Sequence, residues 1–177
     1  NRCRRQRQMC IRDSSSTSEL ITQLIFGELY TITKQTEKWF HIKVEDDSYN
    51  GWINYTQIKI ISKIDFDKLN LVTSKLSIRT IDFVYKNSES TLIPMGSKIS
   101  SCQYLNYTFK GNSSKDIKNK NVVETAMKLL NSPYLWGGKT SLGIDCSGFT
   151  QIVYKINDIN IYSCLLYTSP SPRDEVL

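Results

Sequence analysis

The run from Pro133 to Gln151, PYLWGGKTSLGIDCSGFTQ, is laid out as a nucleophile site. Phe149, Ile152, Val153 and Ile156 recur at helical spacing, so a helix with one apolar face begins just before them. Asp145 is a good residue to cap its start. Cys146 then falls in the first turn, where unpaired backbone N–H groups and the helix dipole favour an anion. A thiolate held there can attack a carbonyl. Gly137, Gly138 and Gly143 give a flexible, close-packing approach loop, and Ile144 an apolar plug behind it. The plain alternative is a buried structural cysteine. The glycine-rich approach, the acidic cap and Ser147-Gly148 behind the thiol favour the nucleophile.

The same residues carry a family resemblance. Tyr134-Leu135-Trp136-Gly137-Gly138 followed by Asp145-Cys146-Ser147-Gly148-Phe149 resembles the start of the catalytic domain in the NlpC family of bacterial cell-wall cysteine peptidases, which are papain-like. The resemblance implies that Cys146 is the nucleophile, that Asp145 and Ser147 lie beside the substrate, and that Tyr134 is near the reacting centre. The family's base is a histidine further down the chain, with a third polar residue after it. Neither has a counterpart here, because His41 is the only histidine and it precedes the cysteine.

The elements that must position this site come before it. Residues 18–61 read as short strands, with Phe40, Ile42 and Val44 alternating against Trp39, His41 and Lys43. Short strands at this spacing, with turns such as Glu45-Asp46-Asp47-Ser48 between them, suggest a small barrel. The pattern from Glu19 through Gln23-Leu24-Ile25-Phe26-Gly27-Glu28, then Trp39-Phe40 and Gly51-Trp52-Ile53, resembles a bacterial SH3-like domain. Trp52 is expected in the barrel core, as large apolar residues mostly are. His41, mid-strand in a separate module, is rejected as the base. Residues 62–112 read as a second, divergent barrel, with Pro94 at a strand end or edge because it cannot donate to a ladder. Cys102 lies in a strand-like stretch and is expected to be a small buried residue. Residues 113–120 read as a polar linker. Asn121 then caps a helix, with Glu124 in capping-box register. Val122, Val123, Ala126, Leu129 and Leu130 form its expected buried stripe, and Pro133 ends it. The fold expected is therefore all-β plus α+β: two small SH3-like β-barrels, then the N-terminal helical part of a papain-like α+β domain over residues 121–162.

Both ends break the composition. Residues 1–14 are rich in arginine without an apolar period, and residues 163–177 read SCLLYTSPSPRDEVL. Both resemble translated sequencing-adapter sequence and are set aside from the fold as non-native. Setting aside Arg2, Arg4, Arg5, Arg7, Arg12 and Arg173 lowers the basic count from 23 to 17, and dropping Asp13, Asp174 and Glu175 lowers the acidic count from 17 to 14. A net charge of +3 in place of +6 gives little support for a nucleic-acid partner. Of the five cysteines, Cys102 and Cys146 remain, so no disulfide framework is implied, and the spacing supports no metal site. No apolar run is long enough to span a membrane.

The function expected of the parent is peptidoglycan endopeptidase activity, without a cofactor, in an exported, envelope-located monomer acting on muropeptides. The closest resemblance is to members with two SH3-like barrels, which cut the γ-D-glutamyl bond to the diamino acid and prefer a free L-alanine amine. It implies that Glu19 and Tyr49 of the first barrel meet that ammonium beside Asp145, with Glu28 competing for the part of Glu19. An ammonium wants carboxylates and an oxygen or aromatic partner. The chain as written, without a downstream histidine, is expected to be an inactive fragment, with the apolar face of the Cys146 helix left bare. A non-catalytic wall-binding module, an amidase or an acyltransferase on the same scaffold are the alternatives. A basic nucleic-acid binder would depend wholly on residues 1–14.

Overall fold

The computed structural model describes residues 20–47, 49–159 and 161, together with the backbone of 9–12. Five antiparallel strands form the first sheet: β1 (Met9–Arg12), β2 (Leu20–Leu24), β3 (Tyr30–Gln35), β4 (Trp39–Val44) and β5 (Asn50–Asn54), in the order β2-β1-β5-β4-β3. Alternation along β4 puts Phe40, Ile42 and Val44 inward, where they pack with Leu24 and Ile53. On β5 the same period turns Gly51 and Ile53 inward. Trp52 is therefore half-buried on the outer face, its ring edge-on to His41 at 5.1 Å, rather than in the core. Setting residues 1–14 aside does not hold for Met9–Arg12. That segment pairs with β2 on one side and β5 on the other. A ladder is made of backbone groups, which every residue carries, so an arginine-rich composition does not prevent it.

The middle of the chain is mixed rather than all-β. Helix α1 (Lys63–Leu71) starts at Ser62, whose hydroxyl accepts the Asp65 N–H at 3.1 Å. A three-stranded antiparallel sheet follows, built from β6 (Ile81–Lys86), β7 (Glu89–Pro94) and β8 (Thr108–Phe109) in the order β7-β6-β8. Pro94 closes β7, an edge strand, as its missing N–H requires. Cys102 is buried as expected, against Phe26, Val84 and Ile93, but from a 3-10 helix over Ile99–Leu105 and not from a strand. The expected linker is anchored at its start. Ser113 and Ser114 are buried, and Ser114 exchanges hydrogen bonds with the backbone of Leu76. Short polar runs read as linkers because serine is usually exposed; here the Leu76 N–H meets the Ser114 hydroxyl and the Asp116 carboxylate meets that of Ser113.

Helix α2 (Val122–Met127) begins as expected, with Asn121 Oδ1 accepting from the N–H groups of Val123 and Glu124. Replacing Asn121 by Ala should cost about 1 kcal/mol, read as a shift in the denaturant midpoint; an unchanged midpoint would mean that this cap contributes nothing. The buried face of α2 differs from the expected stripe. Leu129 and Thr125 are buried and Val122 and Ala126 pack beside them, while Val123 and Leu130 are exposed. The helix is only six residues long, and the chain leaves the helical spiral before Leu130.

A two-stranded hairpin, β9 (Lys139–Thr140) and β10 (Gly143–Ile144), leads into α3 (Cys146–Ile156). The apolar face of α3 is not bare. Ile152, Val153 and Ile156 are each no more than 2% exposed. They share one core with Leu129 of the α2 turn, Ile25 of the first sheet unit, and Leu76 and Met95 of the middle unit. The Cys146 helix is thus seated on everything that precedes it.

Candidate active site

Asp145 organises the site. Its Oδ1 accepts the Gly148 N–H and the Ser147 hydroxyl, both at 2.7 Å, which caps α3. Its Oδ2 accepts the Gly137 N–H at 2.8 Å, which ties the approach loop to the helix start. Gly137 has φ of +70°, a conformation that disfavours any other residue type. The loop is pinned again by the Asp145 N–H donating to Gly138 O at 3.1 Å, and by Leu135 N–H to Ile144 O and Ile144 N–H to Pro133 O. Tyr134 forms a parallel bridge with Ile144, two residues before the thiol, and its side chain is exposed, as is that of Trp136. Cys146 is exposed at the start of α3. The structure therefore brings Cys146, Asp145, Ser147 and Tyr134 into one locus. Three of the roughly four acceptor positions of the Asp145 carboxylate are already engaged within the chain.

The first sheet unit abuts this locus. A side chain on Gly137 would meet the backbone oxygen of Leu20, and the Lys139 N–H donates to Gln23 Oε1 at 2.9 Å. Glu19 lies outside the described residues. Tyr49 is half-buried on the core of the first sheet, and its N–H donates to Asp47 Oδ1. The other oxygen of Asp47 reaches Lys139 Nζ at 3.4 Å, so the turn before Tyr49 rests on the approach hairpin. Glu28 does not face an incoming ammonium. Its side chain is fully buried, with Oε1 taking Lys155 at 2.8 Å and Lys139 at 3.2 Å, and Oε2 taking the Ile25 N–H at 3.0 Å. Burial alone would raise its carboxyl, but the Lys139 and Lys155 ammonium groups overcome this and hold it below the ordinary carboxylate value.

Sequence reasoning missed that ion cluster. Glu28, Asp46 and Asp47 come from the first unit, Lys98 from the middle one, and Lys139 and Lys155 from the two sides of the thiol. One available signal was Lys155, set between Ile152 and Ile156 on an otherwise apolar face. His41 sits on the outer face of the first sheet, with Thr33 Oγ1 2.6 Å from its Nδ1. Among the described residues no group of three His, Cys, Asp or Glu is disposed to hold a metal, and no helix is long and apolar enough to cross a membrane.

Residues 131–165, which span the approach loop and the whole of α3, match the family model of the NlpC/P60 family. Residues 11–58 match that of the bacterial dipeptidyl-peptidase SH3 domain. The two matches follow one another along the chain, the SH3-domain match ahead of the NlpC/P60 match. The SH3 match begins inside β1, in keeping with the strand pairing of Met9–Arg12. A γ-D-glutamyl-L-lysine dipeptidyl-peptidase of Bacillus cereus is 27% identical over 83% of this chain and 53% of its own length. Dipeptidyl-peptidase 6 of Lysinibacillus sphaericus is 49% identical over 24% of this chain and 16% of its own. An NlpC/P60 family protein of Bacillus cereus shares the fold, with a TM-score of 0.60, 22% identity, and coverage of 81% of this chain and 57% of that one. The chain spans about half the length of the long curated relatives it matches.

The NlpC/P60 segment makes a labelling prediction. Cys146 is exposed, whereas burial pushes the Cys102 thiol up to about 11. Iodoacetamide at about pH 8 should modify Cys146 in the native chain and spare Cys102, as read by peptide mapping. Equal modification of both would show that the core around Cys102 opens under native conditions.

Proposed function

We propose that this chain is the front part of a bacterial cell-wall cysteine peptidase that hydrolyses the γ-D-glutamyl bond to the diamino acid of muropeptides. The observation that carries the reading is Cys146, exposed in the first turn of α3 behind a doubly anchored Asp145, inside the NlpC/P60 match. Cys146 is the nucleophile. Tyr134 and Ser147 line its approach. Asp145 holds the loop and, with Tyr49 and Glu19 from the first unit, meets the free amine of the substrate. The names of the Bacillus relatives support the bond and the dipeptidyl product. The middle unit is read as a divergent second SH3-like barrel. No histidine follows Cys146 in the 177 residues, so the chain by itself leaves muropeptides uncut. Envelope location and monomeric state follow from the same reading.

Substrate recognition can be tested without the base. A chloromethyl ketone built on L-alanyl-γ-D-glutamate alkylates a thiol with loss of chloride. We expect it to label Cys146 at least about tenfold faster than its N-acetylated or L-glutamyl counterparts. Equal rates for all three would overturn the peptidase reading in favour of a wall-binding module. Hydrolysis of muropeptides by this chain, lost in Cys146→Ser, would overturn its inactivity and keep the peptidase.

A further inference from the structure

We propose that Glu28 is a positioning residue for Cys146: it holds the approach hairpin and the far end of the thiol's helix on the first sheet unit, so that the thiol meets that unit in one orientation. The inference rests on Cys146 being the nucleophile and goes beyond it by naming what fixes its setting.

Glu28 follows β2 in the turn to β3, and one carboxylate oxygen is locked by its own chain through the Ile25 N–H. The other oxygen receives two ammonium groups from separate places in the NlpC/P60 segment. Lys139 is the first residue of β9, directly after Gly137-Gly138. Lys155 is near the end of α3, nine positions beyond Cys146. One buried anion therefore holds the hairpin before the thiol and the helix after it, at 3.2 Å and 2.8 Å. Two points of attachment to a rigid body remove rotations that a single contact would leave. The surrounding charges repeat the arrangement. Asp46 takes Lys155 at 3.0 Å and Lys98 at 2.5 Å, and Asp47 takes Lys139 at 3.4 Å. Among the described residues three carboxylates face three ammonium groups, so their charges balance, and Glu28 is the most buried of them. A fold that needed only apolar burial here has Ile25, Ile152 and Ile156 beside it. A charged anchor adds direction, which apolar contact lacks.

The test compares the full chain with Glu28→Gln, Lys155→Met and Lys155→Arg. Three quantities are read: thermal midpoint, amide exchange along the chain, and the rate of Cys146 alkylation by iodoacetamide over roughly pH 6 to 9, located by peptide mapping. For E28Q we expect the Gly138 and Lys139 amides to exchange about tenfold faster while those of β4 and β5 hold within about twofold. The alkylation profile should be displaced by about threefold or more in rate. K155M should follow E28Q, and K155R should overlay the parent. A lower midpoint with an unchanged alkylation profile, or faster exchange spread evenly over the chain, would reduce Glu28 to a stability contact and overturn the inference. If E28Q does not fold, K155M decides, since it leaves Glu28 paired with Lys139. None of these readouts needs hydrolysis. The electrophile test of the peptidase reading can therefore fail while this one succeeds, or the reverse.

Discussion

Gly148→Ala should destabilise the chain by about 3 kcal/mol and disorder the start of the Cys146 helix. Alanine is the better helix former, worth about 1 kcal/mol at an ordinary interior position. Here it has no room. A Cβ on Gly148 would lie 2.2 Å from Gly138 O and 3.1 Å from Lys139 Cα. Both are backbone atoms, so no rotamer change relieves the contact. Either α3 backs away from the approach loop or the loop moves, and in both cases the Asp145 N–H to Gly138 O bond is lost. Urea unfolding measures the cost, and the Cys146 alkylation rate reports the local displacement. A variant as stable as its parent would show that the helix does not lie against the loop as described.

Lys139→Met should cost about 3 kcal/mol near neutral pH. Its side chain is 3% exposed, and its ammonium bridges Glu28 and Asp47. Removing it strands part of a buried negative charge; Lys155, which stays on Glu28, keeps the loss at the low end of the usual range. The effect depends on pH. Burial would raise the Asp46 and Glu28 carboxyls, but the lysines facing them hold both below their ordinary values. Depressed carboxyls contribute stability above the unfolded value of about 4, and lose it as pH falls through the lower folded value. Lys155 runs the other way. Burial would lower it, yet Glu28 and Asp46 hold it above its ordinary value, so its contribution is full below about 10.5 and is lost only at higher pH. The parent should therefore be most stable between about pH 5 and 10. The deficit of K139M should shrink as pH falls below about 4, because protonation progressively discharges the carboxylates that Lys139 pairs with. A deficit constant across that range would mean that packing, not charge, is what Lys139 supplies.

What could be read beforehand was local. Asp145 and Asn121 cap helices because the cap oxygen and the N–H donors it accepts from lie within three residues of each other. Phe40, Ile42 and Val44 share a face because a strand alternates. The same rule, given the inward side, turns Trp52 outward, because register outranks residue size on a strand. On α2 the helical period ends with the helix at Met127, so Leu130 falls outside the buried stripe that the period alone would give. The ion cluster was out of reach of any periodicity. Lys139 and Lys155 meet Glu28 across 111 and 127 positions of chain, and only the tertiary fold makes those neighbours. The amines that Glu28 binds are the internal ones of Lys139 and Lys155.

The place of Met9–Arg12 has a practical consequence. It is not the outermost strand of its sheet but the second, lying between Leu20–Leu24 and Asn50–Asn54. Trimming the chain at Ser15 to remove the arginine-rich segment would take out an interior strand. The backbone groups of β2 would be uncovered along its length, and those of β5 at Trp52, with a slot one strand wide between them. Such a slot is a template for a strand from another molecule. A preparation shortened in this way is expected to self-associate as its concentration rises, and a short peptide of the missing strand's sequence should suppress that by filling the gap.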